Sequence, residues 1–122
     1  MGKKIFIADD ESGFVSTLRS RLEFEGFEVT TAPDGKAALE KIPDEQPDLI
    51  LLDVMMPAMN GYQVCRELKE NSATKQIPIL MLTAKSQESD KFWGHEAGAD
   101  AYMTKPFDMD ELIDEIEGLL IE

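Results

Sequence analysis

Residues 49–54 read Leu49-Ile50-Leu51-Leu52-Asp53-Val54. Apart from Asp53 the run is wholly apolar and lacks the alternation of a strand with one wet face. Such a strand is buried on both sides, the condition of a central strand in a parallel sheet covered by helices. Outward from it, four more short runs read as strands. Ile5 to Ala8 precedes Asp9-Asp10, and Glu28 to Ala32 is rich in β-branched residues and stops at Pro33. Pro78 to Thr83 carries Ile79, Leu80, Met81 and Leu82, and Ala101 to Lys105 stops at Pro106.

Between these runs the apolar period changes to that of helices. Phe14, Val15, Leu18 and Leu22 form one stripe, with Gly26 where a C-cap is expected. Asp34-Gly35 opens a short helix carrying Ala38, Leu39 and Ile42, predicted to close before Pro43 and Pro47. Asn60 and Gln63 form a capping-box pattern ahead of Val64, Cys65 and Leu68. Ser86 can cap a fourth helix ending near Gly98. Asp108 with Glu111 repeats the capping pattern before Leu112, Ile113, Ile116, Leu119 and Leu120. Five βα units in succession, with short connections and no linker or repeat, predict one domain over 1–122. Its sheet is parallel and doubly wound, with right-handed crossovers. Five strands point to the flavodoxin-like order 2-1-3-4-5, whose functional crevice lies at the carboxyl ends of the strands.

The 122 residues are 43% hydrophobic and 30% charged, as in an ordinary globular domain. Asp and Glu number 25 against 12 Lys and Arg, a formal charge of −13, which argues against binding nucleic acid or a membrane surface. No apolar run is long enough to span a bilayer, and no signal peptide is visible. One cysteine, Cys65, excludes an internal disulfide and fits a reducing cytoplasm; with one histidine, His95, a zinc site of the usual ligand type is excluded too. The expectation is a cytoplasmic, acidic single domain.

The strand ends carry the chemistry. Asp9-Asp10 end the first strand, Asp53 the third, Thr83 the fourth and Lys105 the fifth, so the topology brings all five to one edge. Three carboxylates about 5 Å apart repel by about 3 kcal/mol per pair at an effective dielectric of 20. Lys105 supplies one positive charge, and an all-oxygen ligand set favours Mg²⁺ for the remainder. A carboxylate, a metal, a hydroxyl donor and an ammonium make a phosphoryl-accepting site, with Asp53 as nucleophile. Taken singly, each aspartate also fits a strand-end or capping role. Thr83 fits a β-branched strand residue, and Lys105 a solvated lysine. Their coincidence on one edge favours the site.

These residues resemble the receiver domain of two-component response regulators. The resemblance runs the length of the chain: Phe6-Ile7-Ala8-Asp9-Asp10-Glu11, Leu51-Leu52-Asp53-Val54-Met55-Met56-Pro57, Gly61, Leu82-Thr83-Ala84, Gly98-Ala99-Asp100 and Tyr102-Met103-Thr104-Lys105-Pro106-Phe107. It implies that Asp53 is the phosphoacceptor and that Asp9, Asp10 and Asp53 hold Mg²⁺ with the backbone carbonyl of Met55. It further implies that Lys105 pairs with the phosphoryl group, across a cis Lys105-Pro106 bond, and that Thr83 and Tyr102 form a two-position switch. Met55 and Lys85 occupy the places that tune hydrolysis, and a bulky Met55 predicts a phosphorylated state lasting minutes or longer. The implied donor is a histidine kinase or a phosphotransfer protein.

The resemblance places a protein output partner on the face formed by the predicted helix from Ser86 to Gly98, the strand from Ala101 to Lys105 and the helix that Asp108 opens. The predicted helix over 108–117 has no Lys or Arg, and Ala101 replaces an aspartate. Both differences argue against the charged dimer of winged-helix family members. Because the chain stops where the fold ends, the simplest expectation is a stand-alone regulator, with a domain cut from a larger protein as the alternative. Phe92 and Trp93 are further candidates for a binding face, whereas His95 fits a solvated position and Cys65 a core one. The expected protein is a signalling module rather than a turnover enzyme, catalysing only its own phosphorylation and slow autodephosphorylation. Three alternatives share the fold. An Asp-nucleophile phosphatase usually carries Asp-x-Asp on one strand. An FMN binder needs a Gly-rich loop after the first strand, where this chain has Asp-Asp-Glu-Ser-Gly. A phosphorylation-independent scaffold has no need of the acidic site.

Overall fold

A computed structural model describes residues 2–56, 59–83 and 97–121. The strands are β1 (Lys4–Ala8), β2 (Glu28–Ala32), β3 (Leu49–Asp53), β4 (Ile79–Thr83) and β5 (Ala101–Thr104). All pair in parallel, in the order β2-β1-β3-β4-β5. The apolar runs explain the positions. All of β3 and β4 is buried, as is β1 after Lys4, and these are the central strands. The mixed sequences of β2 and β5 stand at the edges. The helices are α1 (Ser12–Phe24), α2 (Gly35–Glu45), α3 (Gly61–Glu70) and, last among the described residues, α4 (Met109–Leu120).

Strand alternation divides the core into two layers. Phe6, Ala8, Ile50, Leu52, Ile79 and Met81 pack on Ala38 and Ile42 of α2 and on Val64, Cys65 and Leu68 of α3. Their alternates, Ile5, Ile7, Leu49, Leu51, Leu80 and Leu82, pack on Leu18 and Leu22 of α1 and on Leu112, Ile113 and Ile116 of α4. Helices therefore cover both faces of the sheet, as a doubly wound fold requires.

Local signals hold at most helix ends. Asn60 and Gln63 exchange both bonds of the capping box, each 3.0 Å. Gly26 follows α1 with φ +99°, a conformation that costs glycine little. Two predictions are corrected. Helix α2 does not close before Pro43 but runs through it to Glu45. The missing N–H costs the one bond to Leu39 O, and beyond it Gln46 closes the helix end by donating its N–H to Ile42 O and its side-chain amide to Pro43 O. Asp108 caps α4 through the N–H of Asp110 at 2.7 Å rather than by a reciprocal box with Glu111; either of the first free N–H groups can serve. The predicted fourth helix, with Ser86, Phe92, Trp93 and His95, lies outside the described residues, as do Lys85, Ala84 and Pro57. No helix among the described residues is long and apolar enough to cross a membrane.

Candidate phosphoryl-accepting site

Register brings the acids together. Ala8 is paired with Leu52, so the next residues, Asp9 and Asp53, leave neighbouring strands side by side. Alternation also aims them. Ile5-Ile7-Asp9, Leu49-Leu51-Asp53 and Ala101-Met103-Lys105 each continue the face covered by α1 and α4. Carboxylate oxygens of Asp9, Asp10 and Asp53 all lie within 4.8 Å of one another; Asp9 and Asp53 are buried and Asp10 is exposed. Lys105 Nζ donates to Asp9 Oδ2 at 3.1 Å and to Asp53 Oδ1 at 3.2 Å. Asp9 Oδ1 accepts the N–H of Glu11 at 2.9 Å, so both oxygens of Asp9 are engaged. Among the described residues Asp53 Oδ2 has no hydrogen-bond donor.

The electrostatics are unbalanced. Among the described residues, three carboxylates face one ammonium. Burial pushes the Asp53 carboxyl up to about 6, Asp9 adds to the rise, and Lys105 opposes it. Burial pulls Lys105 down, but the charges of Asp53 and Asp9 outweigh it and leave the ammonium above its ordinary value. The donor set fits a small hard dication. Opposite oxygens around Mg²⁺ stand about 4.2 Å apart, so oxygens already within 4.8 Å need little movement.

Around this centre the other predicted residues take separate places. Thr83 is 1% exposed, and its hydroxyl donates to the carbonyl of Met103 on β5 at 3.5 Å, a long bond. Tyr102 stands on the edge strand in register with Met81, two residues before Thr104, the partner of Thr83, and is 37% exposed. Met55, two residues past Asp53, is 70% exposed. The Lys105-Pro106 bond is cis. Gly61 makes room for the loop after β3: a Cβ there would strike the backbone of Asp53 and Val54, while its N–H donates to Val54 O at 2.9 Å.

Two aromatics escaped the sequence reading of the site. Phe14 of α1 places its ring centroid 4.3 Å from Lys105 Nζ, and Phe107 meets that ring edge-on at 5.9 Å. The stripe pattern accounts for Phe14 as core, and no local signal ties it to a residue so distant in the chain.

Residues 5–117 match the family described as the response regulator receiver domain. The chain belongs to that family. It is 48% identical over 120 residues to the alkaline phosphatase synthesis transcriptional regulatory protein PhoP of Bacillus subtilis (strain 168), covering 98% of this chain and 49% of that protein. The chain thus spans about half the length of that curated relative. Among solved structures, the chemotaxis protein CheY4 of Vibrio cholerae superposes with a TM-score of 0.92 at 32% identity, over 98% of this chain and all of that one (100%). The receiver domain of the sensor histidine kinase PA1611 from Pseudomonas aeruginosa PAO1 superposes with a TM-score of 0.91 at 28% identity, over 98% of each chain. In that structure a magnesium ion is coordinated in the active-site cleft. This receiver domain is therefore a module of two-component signalling, with a flavodoxin-like sheet and a cluster of three carboxylates of the type that could hold a metal ion.

Proposed function

We propose that the chain accepts a phosphoryl group on Asp53 from a phosphohistidine of a histidine kinase or phosphotransfer protein, with Mg²⁺ held by Asp9, Asp10, Asp53 and the Met55 carbonyl. The observation that carries this reading is the buried Asp53 carboxylate, held by Lys105 through one oxygen and beside two further carboxylates. Its other oxygen is the nucleophile. It forms the new bond to phosphorus as the phosphorus–nitrogen bond breaks, and the electron pair leaves with the donor imidazole. With a carboxyl pKa of about 6, Asp53 is mostly ionised at neutral pH. Bound Mg²⁺ supplies charge neutralisation for the transferring oxygens. Lys105 turns its ammonium from the carboxylates to a phosphoryl oxygen.

Thr83 and Tyr102 carry the signal outward. The Thr83 hydroxyl spends its hydrogen bond on Met103, a weak contact it can exchange for the stronger acceptor of a phosphoryl oxygen. The space it leaves admits the Tyr102 side chain, which changes the face near β5 and α4 where a protein partner binds. The chain turns over no external substrate. Its phosphoryl group is lost only by slow autodephosphorylation, and Met55 beside the site hinders water, giving a lifetime of minutes or longer.

Intact mass with acetyl phosphate tests the reading, with and without Mg²⁺, on the wild type and on Asp53→Ala. One added phosphoryl group that requires both Mg²⁺ and Asp53 is expected. Labelling that persists in Asp53→Ala overturns the assignment of the acceptor, and turnover of a phosphomonoester favours the phosphatase alternative. A half-life of seconds in Mg²⁺ sinks the role given to Met55.

A further inference from the structure

Among the described residues Lys105 Nζ has two kinds of neighbour: the carboxylates of Asp9 at 3.1 Å and Asp53 at 3.2 Å, and the face of the Phe14 ring, 4.3 Å to its centroid. The ring distance falls well inside the range in which an aromatic quadrupole attracts a cation. Phe14 is itself oriented. Phe107 presents its edge at an interplanar angle of 74°, the favoured T-shaped arrangement, and Phe107 lies two residues beyond Lys105. A lysine ammonium is otherwise a strongly hydrated point charge on a four-carbon stem with many rotamers. The ring covers one side of the ammonium, excludes water there and takes no N–H bond from the carboxylates. What remains is a cation confined to the space between Asp9 and Asp53.

We infer that Phe14 is a positioning residue for phosphoryl transfer, holding the Lys105 ammonium at the acceptor carboxylate through a cation–π contact. The inference rests on the reading of Asp53 as phosphoacceptor. When Lys105 turns to a phosphoryl oxygen, the same ring limits its travel, so the face of Phe14 serves both states. A leucine at position 14 keeps apolar bulk and loses the quadrupole; a tyrosine keeps both.

The test has two arms, both on the full chain. In urea unfolding without divalent cations, Phe14→Leu, Lys105→Met and the double variant close a cycle. The loss caused by Phe14→Leu is expected to be about fivefold smaller in unfolding constant when Lys105 is already Met. Strict additivity overturns the contact. In Mg²⁺ and acetyl phosphate, Phe14→Leu is expected to slow labelling of Asp53 about three- to tenfold, with Phe14→Tyr within twofold of wild type. Equal rates for Leu and Phe at this position overturn the positioning role, as does a Tyr variant as slow as Leu. A wild-type chain that takes no phosphoryl group while the unfolding cycle still shows coupling removes the acceptor reading and leaves the Phe14–Lys105 contact standing.

Discussion

A lysine meets aspartate at both ends of the sheet, and the two arrangements differ in charge balance. At the amino end, Lys69 Nζ donates to Lys75 O at 3.2 Å, Ile77 O at 2.9 Å and Asp100 Oδ2 at 2.9 Å, which uses all three of its protons. The same Asp100 oxygen accepts the N–H of Ile79 at 2.8 Å and so fixes where β4 begins. One cation meets one anion there, with backbone groups completing the shell. At the carboxyl end, among the described residues, one cation meets three carboxylates, two of them buried. A balanced pair ties elements together and needs nothing further. An unbalanced cluster stores repulsion that an incoming cation can relieve, and that difference marks the carboxyl end as the functional one.

Removing Lys105 deepens the imbalance and carries the largest expected effect. Lys105→Met leaves the acids of Asp9 and Asp53 without their cation and should destabilise the fold by about 3 kcal/mol at pH 8 in EDTA. Millimolar Mg²⁺ should return much of that loss, because an ion bound only by the folded state stabilises it by mass action. A Lys105→Met chain as stable as wild type in EDTA would mean that the carboxylates do not repel as their spacing implies.

Removing a carboxylate has the opposite sign. The folded Asp53 carboxyl titrates near 6 and an ordinary one near 3.8, so the folded state prefers the protonated form. The stabilising contribution of that preference is complete below about pH 4 and is lost as pH rises through about 6. Asp53→Asn should therefore stabilise the metal-free chain at pH 8 by about 2 kcal/mol, with the advantage shrinking as pH falls from 7 to 4. Urea unfolding across that range in EDTA reads both features. A destabilised Asn variant at pH 8, or an advantage that grows toward acid, contradicts the buried-charge account. Added Mg²⁺ should narrow the gap, since only the aspartate offers it a charged ligand.

Much of this comparison was legible in the sequence, for reasons local to the chain. The apolar run at Leu49–Leu52 marked a strand buried on both faces, and the stripe Val64-Cys65-Leu68 marked a helix, because both periods are set by backbone geometry. Strand ends could then be aligned by topology alone, which brought Asp9, Asp53 and Lys105 to one rim. The misses lie where local rules have more than one solution or where contacts are distant. Pro43 is a helix breaker by rule, yet α2 runs through it because it stands in the last turn, where only one ladder bond is lost and the helix ends two residues later at Glu45. Asp108 could cap through either of two N–H groups. Phe14 over Lys105, and Lys69 on Asp100, join residues far apart in the chain, and nothing in their own neighbourhoods selects the partner.

The balanced pair offers the smallest effect and the cleanest contrast. Lys69→Met removes three hydrogen bonds but leaves the half-exposed Asp100 free to take up water and to keep its bond from Ile79, so the expected cost is about 1 kcal/mol. Because no second carboxylate crowds Asp100 in that contact, no site for a dication is created when the ammonium goes. The loss in urea unfolding should therefore be the same in EDTA and in Mg²⁺, after allowing for the equal stabilisation Mg²⁺ gives both chains at the other end of the sheet. Acetyl phosphate should still label Asp53 at close to the wild-type rate, since Lys69 acts at the start of β4 and not at its end. If Mg²⁺ rescued Lys69→Met as it rescues Lys105→Met, the two ends would share one electrostatic behaviour, and charge balance would not distinguish the working end from the structural one.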